Sequence, residues 1–110
     1  MPSKGQLAKS ITMIGEKIKE LREAKGLLQR EVAGILGVDT AYISKMENCE
    51  KPVSKSYLAK LALLFEVEET ELLTLWLADK IFDVVKDQDV ALDAIGAAEE
   101  QVKYIRKVGK

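Results

Sequence analysis

The stretch that decides the fold is QREVAGILGVDTAYISKMEN, residues 29–48. Two helices cross closely only where a side chain is small, and Ala33 is small. The turn between them needs a residue that tolerates a positive φ, and Gly37 meets that need. Apolar residues must follow the turn and recur in the second helix, and those present are Val38, Ile43 and Met46. Together the five predict two short helices joined by a tight turn.

This helix-turn-helix pattern, with LREAKGLLQREVAGILGV (21–38) and YISKMEN (42–48), resembles the phage-repressor/Cro-like, or xenobiotic-response-element type, family of regulators. The resemblance covers roughly residues 14–73. It implies a transcriptional regulator that binds double-stranded DNA and inserts its third helix into the major groove. Among its members, a controller of a restriction-modification system is the preferred hypothesis, although phage repressors and antitoxins share the motif.

The composition predicts an all-α protein. The chain has 110 residues, of which 47% are hydrophobic and 32% charged, with two prolines. Helical periodicity recurs, whereas Asn-Gly and Asp-Gly turns and sustained alternation are absent. We expect a flexible arm or an N-terminal extension over residues 1–12, a compact five-helix repressor-like DNA-binding domain over 13–74, and a helical dimerisation extension over 75–110.

Local signals set the expected helix boundaries. Gly26 ends the first helix, and Asp39 suits an N-cap for a helix over about 40–47. Ser54 or Ser56 is the expected cap of a fourth helix. A fifth helix is expected over about 68–86 and a last one over about 89–105.

The resemblance assigns roles to individual residues. Thr40, Ala41 and Lys45 match the positions that contact bases, and their side chains can bond to base edges or contact a thymine methyl. Arg22 and Glu47 match a buried ion pair that ties the first helix to the third. The residues expected to contact phosphates are Gln29, Arg30, Tyr42, Ser44, Asn48, Lys51 and Lys55.

Two departures from the family pattern affect these expectations. Leu28 stands where the family has Thr or Ser, which removes an N-cap worth roughly 0.5–2 kcal/mol and leaves the start of the second helix open. Cys49 and Glu50 stand where the family favours Gly followed by a basic residue. We expect Asn48 to take the left-handed conformation in place of the glycine, and Glu50 to weaken phosphate binding.

Charge and apolar residues are distributed unevenly along the chain. Residues 1–60 hold 11 Lys/Arg against 7 Asp/Glu, whereas residues 61–110 hold 6 against 11. The apolar excess after residue 71 is more than one small core needs, so a two-fold homodimer is expected. The expected interface residues are Leu72, Leu75, Trp76, Leu77 and Phe82. Whether the last helix joins this interface stays open.

Several classes of function are disfavoured. The chain has no histidine and one cysteine, so metal sites, histidine-dependent catalytic triads and an internal disulfide are not expected. No cofactor, catalytic residue or small-molecule ligand is expected. The absence of an 18-residue apolar run and of a signal peptide predicts a cytoplasmic protein with no membrane partner. The alternative to DNA binding is a protein-interaction module, such as an antitoxin-like protein that binds its partner through the long hydrophobic C-terminal helices.

Overall fold

A computed structural model describes residues 13–109, and this part of the chain is helical, with no strand. The expectation of an all-α, repressor-like fold is therefore confirmed, whereas the arm over residues 1–12 lies outside the described residues. The α-helices are α1 (Ile14–Ala24), α2 (Gln29–Leu36), α3 (Thr40–Glu47), α4 (Leu58–Phe65), α5 (Glu69–Val85) and α6 (Ala91–Val108).

The chain divides into two compact units between Asp79 and Lys80, within α5. In the first unit, the buried faces of α1 to α4 and the start of α5 enclose one hydrophobic core. Residues of this core that are essentially inaccessible to solvent are Ile18, Val32, Ile43, Met46, Leu58, Leu61 and Leu72. In α3 and α4, two of these residues stand three positions apart, which places them on one side of the helix, facing the core.

The N-termini of α2 and α3 are capped in different ways. The Asp39 carboxylate accepts a hydrogen bond from the Tyr42 amide at 2.8 Å, as its expected N-cap role requires. Helix α2 begins at Gln29 although Leu28 cannot act as a side-chain cap. The Glu31 carboxylate accepts from the Leu28 amide at 2.8 Å instead, which is one half of a capping box.

The end of α3 corrects one expectation. Asn48 has a φ of −87°, and Cys49 takes the left-handed conformation with a φ of 63°. The reason is that the Asn48 amide still bonds to the Ser44 carbonyl at 3.0 Å, so the helical path continues one residue further than expected. The Glu50 amide then closes a Schellman motif onto the Lys45 carbonyl at 2.8 Å.

The fourth helix also begins differently from the expectation. A single 3₁₀ turn, Lys55–Tyr57, precedes α4, and Tyr57 occupies the N-cap position. The hydroxyls of Ser54 and Ser56 lie 2.9 Å apart and bond to each other, and neither caps α4. The expected serine cap is therefore wrong.

Helix α5 closes the first unit with two long-range hydrogen bonds. The indole N–H of Trp76 donates to the Val53 carbonyl at 2.6 Å, which fixes the segment after α3. The carboxylate of Asp79 accepts from the backbone amide of Ile14 at 3.0 Å, at the N-terminus of α1. An acceptor at this position satisfies one of the amides that the first turn of a helix leaves unpaired.

The expectation that Leu72 belongs to a dimer interface is wrong. Its side chain has 0% exposure because it packs inside the core of its own protomer. Leu75 and Trp76 also pack partly against this core. Part of the apolar excess that the sequence assigned to a partner is therefore used within one chain.

The second unit contains the end of α5 and the whole of α6. Helix α6 has no buried residue. Within residues 13–109, no helix combines the length and the hydropathy needed to cross a membrane.

Candidate nucleic-acid interface

Helix α3 has two chemically distinct faces. Its inner face carries Ile43, Met46 and Glu47, all buried. Thr40, Ala41 and Lys45 are exposed, and with the partly exposed Ser44 they follow one another around the outer face at helical spacing. The three residues expected to contact bases thus share one face that is open to solvent.

The inner face is held by a polar network around Glu47. The Arg22 guanidinium donates to both carboxylate oxygens, with Nε at 2.6 Å from Oε2 and Nη2 at 3.1 Å from Oε1. A further Arg22 nitrogen donates to the Leu27 carbonyl at 2.7 Å. The pKa of Arg22 is raised, chiefly by its hydrogen bond to Glu47. This geometry is the ion pair between the first and third helices that the sequence predicts.

Gln29 belongs to the same network. The sequence predicted only a phosphate contact for this residue. Its amide Nε2 donates to Glu47 Oε1 at 3.0 Å, so Gln29 joins the start of α2 to the end of α3. This bond uses one of the two amide hydrogens of the side chain. A phosphate contact by the Gln29 side-chain amide therefore has to use its other hydrogen.

Tyr42 makes two contacts within the protein that the sequence did not predict. Its hydroxyl donates to the Pro52 carbonyl at 3.0 Å. Its ring packs edge-on against Tyr57, with ring centroids 6.2 Å apart. Because a phosphate oxygen can only accept a hydrogen bond, a phosphate contact through this hydroxyl requires the bond to Pro52 to break.

The remaining residues expected to contact phosphates are at least partly accessible. Arg30 is exposed in the first turn of α2, and Asn48 is exposed directly after α3. Lys51 and Lys55 are exposed in the segment that follows α3. Glu50 is exposed in the same segment and adds a negative charge there.

Gly15 makes a close contact that was not predicted from the sequence. A Cβ built on Gly15 would overlap the carbonyl oxygen of Met46 and would lie 3.1 Å from the Cys49 sulfur. Helix α1 therefore approaches the end of α3 at a position where only a hydrogen fits. A glycine one residue inside an otherwise regular helix is the only sequence signal for this contact.

The described residues offer little support for metal binding or for a nucleophilic thiol. Over residues 13–109, no group of three or more acidic or cysteine side chains is arranged to hold a metal ion. The pKa of Cys49 is raised, first by desolvation of its sulfur and then by the charge of Glu16. A raised pKa lowers the thiolate fraction and opposes nucleophilic chemistry at this thiol.

Comparison with known proteins gives three similarities. A helix-turn-helix family model matches residues 18–72, half of the chain. Over 60 residues, the chain is 42% identical to the propionyl-CoA carboxylase regulator of Cereibacter sphaeroides. That match covers 54% of this chain but only 13% of the length of the regulator.

Among solved structures, the chain is similar to the restriction-modification controller protein C.AhdI from Aeromonas hydrophila. The sequence identity is 37% and the TM-score 0.48, over 54% of this chain and 86% of that protein. The family match spans α2 and α3 with their inner core, where the geometry above lies. The chain belongs to the helix-turn-helix family of DNA-binding transcription regulators, of the phage-repressor/Cro-like type that its motif resembles.

Proposed function

We propose that this protein binds a specific double-stranded DNA sequence as a homodimer and regulates transcription from a two-fold symmetric operator. The observation that carries the proposal is the division of α3 into a locked inner face and a solvent-exposed outer face. Thr40 and Ala41 are exposed in the first turn of the helix, and Lys45 is exposed in its last turn. A helix of this kind reads base edges when its outer face enters the major groove.

Each of the three residues has chemistry that suits a base edge. Lys45 donates to guanine O6 or N7, Ala41 contacts a thymine methyl, and Thr40 donates or accepts. Arg30, Lys51 and Lys55 supply positive charge around this face and orient the helix by phosphate contacts. The Arg22–Glu47–Gln29 network holds α3 in one position, and this supports specificity. A helix held in one position cannot shift to fit a wrong base, so its polar side chains stay without hydrogen-bond partners there.

The small size of one helix-turn-helix unit supports a homodimer. A single helix-turn-helix contacts few base pairs, and two related by a two-fold axis read half-sites about one helical turn apart. Leu77 in the first unit and Phe82 in the second each keep 48% of their surface exposed, which supports their assignment to a dimer interface. The partly buried Leu75 and Trp76 have less surface to contribute.

The test is selection of bound sequences from a random double-stranded DNA pool, followed by fluorescence anisotropy with the selected site at about 50 and 200 mM salt. We expect a two-fold symmetric motif and an affinity that falls steeply with salt. Lys45→Ala should weaken binding about tenfold and relax selection at one base pair in each half-site.

Lys86→Ala is the matched control, because it removes the same charge outside the matched helix-turn-helix. It should leave the selected motif unchanged. If the wild-type protein selects no motif and binds no DNA at low salt, the proposal fails.

A second candidate function has one observation in its favour. The second unit exposes many large apolar side chains, including Ile81, Phe82, Val84, Leu92, Val102 and Ile105. A protein-interaction module that binds a partner through the end of α5 and through α6 would also expose these apolar side chains. Such a module would bind DNA weakly or not at all, so the same salt titration separates the two functions.

A further inference from the structure

Trp76 lies on α5, beyond the part of the chain that the helix-turn-helix family model matches. Its indole N–H donates to the Val53 carbonyl at 2.6 Å. Val53 belongs to the connecting segment between α3 and α4, residues 48–57, which contains a 3₁₀ turn but no α-helix. The bond therefore links α5 to a segment whose path is not set by an α-helix of its own.

The connecting segment is attached to its neighbouring helices near its two ends. The Lys51 amide donates to the Lys45 carbonyl of α3 at 3.3 Å. The Tyr57 amide donates to the Ser54 carbonyl at 3.1 Å, in the turn that leads into α4. Between these two points, Pro52 has no amide hydrogen to donate, so its carbonyl is the only backbone group through which it can be held.

Two consecutive carbonyls in the middle of the segment accept hydrogen bonds from aromatic side chains of different helices. The Tyr42 hydroxyl of α3 donates to the Pro52 carbonyl at 3.0 Å. The Trp76 indole of α5 donates to the next carbonyl, that of Val53. These carbonyls belong to the two planar peptide groups that flank Val53, so the two bonds together hold its backbone dihedrals. The Val53 side chain is itself buried, with 4% exposure, and the middle of the segment is therefore fixed in position and direction.

Two exposed lysines flank this fixed point. Lys51 lies two residues before Val53 and Lys55 two residues after it. Two residues of chain span at most about 7 Å, so the path of the backbone through Val53 sets how the two lysines are placed relative to each other. The proposed function assigns both lysines to DNA phosphates. Side chains that start from a fixed backbone lose less conformational freedom on binding than those on a mobile one.

We propose that Trp76 is a positioning residue for DNA binding, whose indole N–H holds the connecting segment so that Lys51 and Lys55 contact phosphates together while α3 lies in the major groove. The inference rests on the proposed function and adds to it a residue of α5 that touches no DNA. A partly buried carbonyl that loses its donor is poorly compensated by water, so the segment should become mobile without this bond.

A double-mutant cycle on the selected DNA site tests the inference. Trp76→Phe keeps an aromatic ring and removes the N–H, and it should weaken binding about fivefold. Lys51→Ala/Lys55→Ala should weaken binding about tenfold in the wild-type background but at most about threefold in the Trp76→Phe background. Fluorescence anisotropy at about 50 and 200 mM salt should also show a shallower salt dependence for Trp76→Phe, because phosphate contacts are lost.

Lys45→Ala is the comparison within the same cycle. Lys45 projects from α3, which the Arg22–Glu47 pair holds independently of the connecting segment. Its substitution should therefore cost about tenfold in both backgrounds, and the selected motif should stay the same in Trp76→Phe. A general loss of folding or of dimerisation would not separate the two groups of lysines in this way.

A second replacement keeps the volume of the side chain. Trp76 is the one tryptophan of the sequence, so it can be replaced by 3-benzothienylalanine without other changes. This residue retains two fused rings and carries sulfur in place of the N–H. It should reproduce the weaker binding and the reduced lysine effect, and it carries the test if Trp76→Phe does not fold. Wild-type binding by this variant would show that ring packing acts instead of the hydrogen bond, and would overturn the inference.

Tyr104→Phe is the matched control, because it removes one donor from an aromatic residue that is 66% exposed on α6. It should bind within about twofold of wild type and keep the full tenfold effect of the two lysines. If Trp76→Phe combined with both lysine substitutions binds about fiftyfold more weakly than wild type, the effects are independent and this inference alone fails. If the wild-type protein binds no DNA at low salt, the proposed function fails and the inference fails with it.

Discussion

The backbone carbonyl of Met46 occupies the space in which a side chain on Gly15 would begin. This contact sets how closely α1 approaches the end of α3. Gly15→Ala should therefore lower the free energy of unfolding by about 1–3 kcal/mol, because a methyl group must push the two helices apart. Chemical denaturation followed by circular dichroism measures the change.

Gly34→Ala is the control for this substitution. Gly34 also lies within a helix, but a Cβ there would meet nothing within 4 Å. The change should raise the free energy of unfolding by about 0.5–1 kcal/mol, because alanine favours the helix. Equal effects of the two substitutions would show that Gly15 is not a close contact.

The Arg22–Glu47 pair should show strong coupling. Glu47 is 2% exposed, so Arg22→Met leaves a buried carboxylate with Gln29 as its remaining side-chain donor. We expect a loss of about 3 kcal/mol in the free energy of unfolding. The double variant Arg22→Met/Glu47→Met should lose less than the single one, since no buried charge remains.

Lys25→Met provides the comparison for this pair. It breaks the exposed ion pair between Lys25 and Glu66, whose charged atoms lie 2.7 Å apart. Because water solvates both groups once they separate, the unfolding midpoint should hardly move. A loss as large as that of Arg22→Met would contradict the assignment of Glu47 as the buried partner.

The left-handed backbone at Cys49 predicts an order of stability among substitutions. Glycine adopts a φ of 63° without the steric penalty that a Cβ brings. Cys49→Gly should therefore be more stable than Cys49→Ala by about 1 kcal/mol, measured by thermal and chemical unfolding. The reverse order would place the left-handed residue elsewhere, for example at Asn48.

The Cys49 thiol should react slowly with alkylating reagents near neutral pH. Desolvation of its sulfur and the charge of Glu16 raise its pKa above the ordinary 9.0. Since the thiolate is the reactive form, the pH of half-maximal alkylation should lie above that of the same chain unfolded in urea. Glu16→Gln should lower this pH, and a folded midpoint below the unfolded one would contradict the prediction.

Much of the first unit was predictable because local signals and packing signals agree there. Asp39 marks the start of α3, and Ala33 and Gly37 mark the crossing and the turn. The arrangement of Arg22 with Glu47 came from the family pattern, since their positions 25 residues apart carry no local signal.

The errors arise where the outcome depends on distant contacts. Leu72 looks like its apolar neighbours in the sequence, and only the closure of α5 over the core distinguishes it. The shift of the left-handed residue from Asn48 to Cys49 depends on whether one more amide bonds within the helix. Gly15 was missed because the carbonyl it faces lies on a helix 31 positions later in the chain.

The division of α3 into two faces also bears on how such regulators diversify. The side chains that fix the helix in place, Ile43, Met46 and Glu47, are separate from those that meet solvent. Substitutions at Thr40, Ala41 or Lys45 should therefore change the exposed surface of α3 at little cost to folding. Under the proposed function, a lineage of such proteins can acquire new operators by drift on one surface, and a designer can retarget the protein by the same route.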